Sequence, residues 1–423
     1  MNYIDLFSGS GGLSEGFIKN GFKAIAHIEM NGDAVNTLKT RLSYFYLKTT
    51  NKLEFYYQYL RGEITRNELY NMIPSELLNT VINEEMSEAT LPKLFERINK
   101  TLSGDSVDII VGGPPCQAYS LAGRNKQKRI QREQEKGVEV DDERKYLYKV
   151  YCDFLEYYKP KMFVFENVPG LLTSDGGKHW IDIKALFDKV GYDLQYKLLN
   201  SKEFGVSQER KRIIIIGWLK GTNYEYPKFE PTEASCTLKD LLNDLPSIQP
   251  GEESGEYSNV KPHKYVQKHY RNKEDVLTWH LSRPANNRDR EIYRLAINEW
   301  VKDDNQKRLQ YSNVPEHLRT HKNTKYFTDR FKIVPPNLKY SHTVLAHIAK
   351  DGHYYIHFDL NQARSLTVRE AARLQSFPDN FYFEGSRTSV FTQIGNAVPP
   401  LMAEGIAREL KKQLESKGGE VID

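Results

Sequence analysis

Tyr3-Ile4-Asp5-Leu6-Phe7-Ser8-Gly9-Ser10-Gly11-Gly12 opens the chain with a short apolar strand that runs straight into a glycine-rich turn. Leu13 to Asn20 then reads as a helix. Strand, turn and helix make the first unit of a nucleotide-binding α/β sheet, in which the glycines let the backbone approach a ligand closely. The second strand, Ala24 to Ile28, ends in Glu29, about twenty residues past the turn, where a carboxylate can accept hydrogen bonds from ribose hydroxyls. The turn lacks the G-x-G-x-x-G spacing, which argues against a nicotinamide dinucleotide and hence against an oxidoreductase.

Outward from this unit the alternation continues. Val107 to Val111 reads as a buried strand that Gly112-Gly113-Pro114-Pro115 stops abruptly, followed by Cys116-Gln117-Ala118-Tyr119-Ser120. A core cysteine belongs inside an apolar run. Cys116 stands just past one, in a polar turn, and reads as a placed nucleophile. Met162 to Phe165 is another strand, ending in Glu166-Asn167-Val168-Pro169-Gly170. Helices are expected over Tyr146 to Tyr158 and Trp180 to Val190. Further strands are expected over Leu194 to Leu199 and Ile213 to Ile216, the last preceded by Gln208-Glu209-Arg210-Lys211-Arg212. The alternation implies an α/β fold with a mostly parallel, doubly wound sheet. Carboxylates at strand ends lie where such sheets bind ligands.

Two stretches interrupt the pattern. Residues 41–106 look like a polar helical insertion, with Leu60, Ile64, Leu69 and Ile73 as an outward-packed apolar stripe. Arg124 to Lys145 is dense in charge and poor in apolar residues, a loop beside the nucleophile. Near Pro227 the alternation stops, and a basic block follows. Between Lys261 and Tyr340 there are 18 Lys and Arg against 9 Asp and Glu, with ten aromatic residues, in a chain whose net charge is only +4. A polyanion partner and a solvated surface with its own small core both fit that block. Order returns at Arg364 to Pro378, a helix capped by Thr367 with Glu370 three residues on. Gln393 to Pro400 then leads into a last amphipathic helix ending near Lys417.

Composition narrows the classes. The 423 residues are 39% hydrophobic and 27% charged, as in ordinary globular proteins. Neither a membrane span nor a signal peptide is expected. Three widely spaced cysteines (Cys116, Cys152, Cys236) point to a reducing cytoplasm and to no metal site.

The motifs DLFSGSGG, GGPPCQAYS, ENVPG, QERKR, RSLTVREAARLQSFP and QIGNAVPP, in this order, resemble those of the bacterial DNA (cytosine-5) methyltransferases. The resemblance covers 1–40, 107–220 and 341–412. It implies a Rossmann-like catalytic domain built from 1–220 and 341–423, and a smaller target-recognition domain inserted at 221–340. It implies S-adenosylmethionine as the cofactor, lined by Phe7, Gly9, Gly11, Gly12, Leu13, Glu29, Met30, Pro115, Asn396, Ala397 and Val398. Cys116 would add to carbon 6 of a flipped-out cytosine. Glu166 would protonate ring nitrogen 3, and Arg212 would hold the ring carbonyl with Arg210 in support. Gln117, Ser120 and Arg124 would touch DNA. The implied partners are double-stranded DNA and, unless the protein is an orphan methylase, a cognate restriction endonuclease, with the protein monomeric and cytoplasmic on the nucleoid. A transfer-RNA cytosine methyltransferase of the same family is the alternative, but such proteins have a short recognition region. A regulatory relative would lack Cys116 or Glu166, and both are present. The chain departs from the family in two places. The usual Asp-Ile type pair before the cysteine strand is not matched at Ile82-Asn83-Glu84, which leaves the adenine contact unassigned. Glu29 and Cys116 also stand 87 residues apart, wide for the family.

Overall fold

The computed structural model describes residues 1–115, 147–302, 308–320 and 328–416. One sheet organises them: β1 (Asn2–Leu6), β2 (Lys23–Glu29), β3 (Val81–Asn83), β4 (Ile109–Gly112), β5 (Met162–Asn167), β6 (Tyr192–Asn200) and β7 (Lys211–Leu219), in the order 3-2-1-4-5-7-6. The neighbours from β3 to β5 pair in parallel, whereas β7 runs antiparallel to both β5 and β6. The expected parallel sheet thus carries one reversed strand. The cause is the connection: residues 201–210 are too few for a crossover, so β7 must return beside β6 as an antiparallel strand.

Both faces of the sheet are covered, which is why β4, β5 and β7 are nearly continuous apolar runs. Side chains alternate between two cores. Ile4, Leu6, Ile110, Phe163, Phe165, Ile213 and Ile215 face the helices Leu91–Leu102, Leu147–Tyr158 and Lys178–Lys189. Tyr3, Ile109, Val111, Met162, Val164, Ile214 and Ile216 face the helix Gly12–Lys19 and the helix Pro400–Ser416. The two chain ends therefore share one face. Gly16 makes that possible, since a methyl there would overlap the backbone of Ala403 and Glu404.

The stretch 41–106 is not helical throughout. Gly32–Thr49 is one long helix, three short helices (Leu53–Leu60, Arg66–Asn71, Ser75–Asn79) follow, and Val81–Asn83 adds the edge strand β3. Leu69 and Ile73 are buried, but in a satellite core with Tyr44, Tyr56 and Tyr57 that also meets Val276 and Tyr382. The inserted stretch is thus tied to the C-terminal half of the chain.

The 221–340 boundary does not coincide with a packing boundary. Ala234 to Leu277 share a core with Val334 to Tyr355 and Leu366 to Ile394. A separate small core gathers Ile292, Tyr293, Trp300, Tyr311 and Phe331 with Ile356 and Ala363. The aromatic residues of the basic block are therefore mostly core, and its cations Lys264, Lys268, Lys273, Arg288, Arg294 and Lys302 are exposed.

Three arginines hold the returning segment. On the helix Val368–Leu374, Arg369 and Arg373 lie one turn apart, and Arg364 precedes it; all three side chains are fully buried. Arg364 grips Glu370 through two bonds of 2.8 and 2.7 Å, and Glu370 also closes the capping box with Thr367. Arg369 donates to the carbonyls of Thr278, Pro378 and Phe381. Arg373 lies between two buried carboxylates, Asp379 and Asp244. Although burial alone would raise them, the guanidiniums of Arg364 and Arg373 hold Glu370 and Asp379 below the usual carboxylate range.

Removing Arg373 would leave buried Asp244 to Arg271 alone and buried Asp379 to Tyr257 and the more distant Arg369. Arg373→Ala is expected to cost about 3–5 kcal/mol, read as a lowered denaturation midpoint; a wild-type midpoint would show that the bridge is dispensable. Burial also pushes His27, His342 and His357 down to about 4. The unfolded chain binds those protons first, so each histidine removes stability as pH falls from about 6.5 towards 4. Burial lowers His269 to about 4 as well, whereas Asp5, pushed up to about 7 mainly by burial, acts in the opposite sense, as do Glu29 and Asp275, which burial also raises. The melting temperature should therefore fall steadily between about pH 7 and pH 5; a rise over that range would refute the assignment.

Candidate active site

The carboxyl ends of β1, β2, β4 and β5 lie along one edge, and β1 has β2 on one side and β4 on the other. This is the switch point at which open α/β sheets bind ligands. The glycine turn after β1 lies there. Phe7 and Gly9 take positive φ values of 57° and 54°, and Gly11 one of 85°. Phe7 in that conformation is strained, as residues at binding sites often are.

The glycines serve different ends. A methyl added at Gly9 would meet nothing within 4 Å, so its backbone faces open space. Gly11 lies against Leu38. At Gly12 a methyl would overlap the carbonyl oxygen of Val398, so this residue admits the C-terminal segment to the turn. Leu13 is buried in the core, which leaves only its backbone to face a ligand. Glu29 reaches back across the edge: its carboxylate accepts from Gly9 N and Asn31 N, each at 2.8 Å. Burial raises its pKa, and those N–H bonds oppose the rise. One bond per oxygen leaves further lone pairs to receive hydroxyl donors. Met30 is 62% exposed beside it. Asn83, in the region with no matching adenine contact, donates its amide to the carbonyls of Glu29 and Met30 at 3.1 and 2.9 Å. Asn396 is exposed at the end of the helix Arg387–Asn396, Ala397 is half-buried and Val398 is buried.

The second half of the site lies beyond β4, two and three strands from β1. Glu166 of β5 and Arg212 of β7 form an ion pair at 2.8 Å, with side chains 13% and 11% exposed. Glu166 packs against Gly113, where a methyl would stand 2.6 Å from Oε2. Pro115 is half-buried beyond it. Cys116, Gln117, Ser120, Arg124 and the charged stretch 124–145 lie outside the described residues. The other two cysteines are unsuited to nucleophilic work. Cys152 and Cys236 are buried, and burial pushes both thiols up to about 12.

Arg210 is not where it was expected. It is fully buried, and its guanidinium donates to the carbonyls of Val344 at 2.9 Å and Gly395 at 3.0 Å. These bonds tie it to the segments around Val344 and Gly395 rather than to Arg212, and it lies just outside β7, which begins at Lys211. Gln208 and Gln375 extend this brace: Gln208 bonds the Gln375 side chain, the Leu374 carbonyl and Val344 N, and Gln375 bonds the Ile394 carbonyl. Neither glutamine was singled out from the sequence, although both stand inside motifs that were. Only the fold brings 208, 375 and 394 together.

Among the described residues no cluster of His, Cys, Asp and Glu could hold a metal ion. Nor is any helix long and apolar enough to cross a membrane.

Comparison with known proteins places this geometry. A model of the C-5 cytosine-specific DNA methylases matches residues 1–54 and 82–412, leaving out most of the three short helices after Thr49. The type II methyltransferase M.Bpa9945I of Bacillus paralicheniformis is 42% identical over 97% of this chain and 98% of its own length. The type II methyltransferase M1.HphI of Haemophilus parahaemolyticus is 30% identical over 97% of this chain and 87% of its own. Among solved structures, a DNA modification methyltransferase encoded within an E. coli prophage superposes with a TM-score of 0.65 at 23% identity, covering 98% of this chain and all of that one. The S. pombe Dnmt2 methyltransferase shares the fold with a TM-score of 0.51 at 15% identity. The chain belongs to the C-5 cytosine-specific DNA methylase family, and its activity is that of a DNA (cytosine-5-)-methyltransferase.

Proposed function

We propose that this enzyme methylates carbon 5 of a flipped-out cytosine within a specific duplex sequence, using S-adenosylmethionine, as the modification partner of a type II restriction system. The observation that carries the reading is the Glu166–Arg212 pair packed against Gly113, which stands immediately before Pro114-Pro115-Cys116 at the end of β4, the strand next to the one that leads into the open Gly9 turn. The Cys116 thiolate adds to carbon 6, which gives carbon 5 enamine character. Glu166 supplies a proton at ring nitrogen 3 and so relieves the charge the addition creates. Arg212 holds Glu166 and faces the ring carbonyl. Once carbon 5 has taken the methyl group, with the sulfonium sulfur released as a neutral thioether, Glu166 takes back the nitrogen 3 proton, the carbon 5 proton is lost to solvent, and the ring double bond re-forms as the Cys116 thiolate leaves.

The cofactor supplies an electrophilic methyl on a sulfonium. The turn fits it: Gly9 leaves room for close approach, and Glu29 retains acceptor lone pairs for ribose hydroxyls. Met30 and Asn396 are exposed at the same edge. Sequence choice falls to the exposed cations of 261–340, which also suit phosphate contacts.

The mechanism is tested with random-sequence DNA synthesised with 5-fluorodeoxycytidine, in which fluorine cannot leave as a proton. Wild type should be trapped covalently in the presence of cofactor, and Cys116→Ser should not, while still binding cofactor. Glu166→Gln should slow methyl transfer by about 100- to 10,000-fold with little change in DNA affinity; a variant within a few-fold of wild type would make Glu166 structural. The cofactor site is tested by contrast. Gly9→Ala should stay folded, losing about 1 kcal/mol to its positive φ, yet bind S-adenosylmethionine at least about tenfold more weakly by calorimetry. Gly12→Ala should lose thermal stability, because the methyl meets the Val398 backbone. Unchanged cofactor affinity in Gly9→Ala would move the cofactor elsewhere.

A further inference from the structure

The two strands that carry the reacting groups part company just before the chemistry. The parallel ladder between β4 and β5 runs from Ile109↔Met162 to Gly112↔Phe165 and ends there. Beyond it β4 continues as Gly113-Pro114-Pro115, and neither proline has an N–H to donate. The backbone of the two prolines can be tied to its neighbour only through their carbonyls. A donor must therefore come from β5.

Asn167 provides it. The residue is 1% exposed, and its Nδ2 donates to the Pro114 carbonyl at 3.3 Å. Its Oδ1 accepts from Val168 N at 2.9 Å. These partners fix the orientation of the amide, since only its nitrogen can serve a carbonyl and only its oxygen an N–H. Asn167 follows Glu166 directly and pairs with Ile213 of β7, next to Arg212. One side chain thus links the end of the Glu166 strand to the turn that leads into Cys116.

We infer that Asn167 is a positioning residue for methyl transfer: its amide sets the displacement of the Pro114–Pro115 turn relative to Glu166. The inference rests on the reading that Cys116 and Glu166 act on the same ring. Asn167 itself touches no reacting atom. It acts through geometry, and a misplacement of about 1 Å can cost about 100-fold in rate.

The test is Asn167→Asp, which keeps size and shape but exchanges the donor for an oxygen. Ionised, it faces the Pro114 carbonyl with a second acceptor; protonated, it regains an O–H donor. The readout is the rate of covalent trapping on random-sequence DNA synthesised with 5-fluorodeoxycytidine, between about pH 8 and pH 6. Calorimetric affinity for S-adenosylmethionine and the melting temperature are measured alongside. Trapping should be slowed about 100-fold at the higher pH, with cofactor affinity unchanged, and should recover relative to wild type as pH falls. A wild-type rate overturns the proposal. So does a slowed rate with no recovery at low pH, because that is the mark of a packing defect. If Asn167→Asp does not fold, Asn167→Ser replaces it: slow trapping with retained cofactor affinity supports the role, and a wild-type rate overturns it. Absence of any adduct from wild type overturns the Cys116 mechanism and this proposal with it, whereas a wild-type adduct with an unaffected variant overturns this proposal alone.

Discussion

Arg373, between Asp244 and Asp379, joins two parts of the chain that are far apart in sequence. Asp244 stands just after the helix Leu238–Leu242, Asp379 just after the helix Val368–Leu374, and all three side chains are fully buried. Burying charge in this way is unfavourable unless every group is paired and hydrogen-bonded. Here each is, since Arg373 also reaches the Leu241 carbonyl and Tyr257 donates to Asp379. A geometry satisfied so fully tolerates little displacement. The stretch around Asp244 is thereby held in one orientation against the segment that carries Gln375 and Gln393.

From that hub the constraint runs to the site. Gln375 bonds Gln208 and the Ile394 carbonyl, and Arg210 bonds the carbonyls of Val344 and Gly395. Gly395 itself lies so close to Leu345 and Ala346 that a side chain would overlap their backbone. The segment 395–398 is thus fixed from one side by the hub and from the other by Gly12. A second route runs through the N-terminal half. Arg41 pairs with buried Glu15 at 2.7 and 2.6 Å, and its other nitrogen bonds Asn380. Tyr56, Tyr57 and Tyr59 of the inserted helices bond Asn380, Asp275 and Glu384. The helices outside the family match therefore brace the catalytic sheet against the returning segment.

Much of this architecture is legible from the linear chain. Apolar runs of four to six residues alternating with amphipathic stretches give the strands and helices near their observed bounds, because a strand covered on both faces must be apolar throughout. Glycine before the first helix, a carboxylate at the end of β2 and Glu166 at the end of β5 mark the binding edge, because ligands collect where strands end. The Thr367 cap with Glu370 is likewise a local signal, three residues apart on one turn.

The rest depends on which distant residues meet. Arg210 and Arg212 are the same residue type two positions apart, yet one braces carbonyls of 344 and 395 and the other pairs with Glu166. Gly9, Gly11 and Gly12 look equivalent in the sequence, and only the packed neighbours show that one faces open space, one Leu38 and one Val398. The basic, aromatic-rich block reads equally well as a polyanion-binding face or as a solvated surface with its own small core until burial assigns most of its described aromatic residues to the core. Local periodicity determines elements because it depends on neighbours along the chain. The role of a side chain depends on neighbours across it, and those exist only once the two ends of the protein have closed on one sheet.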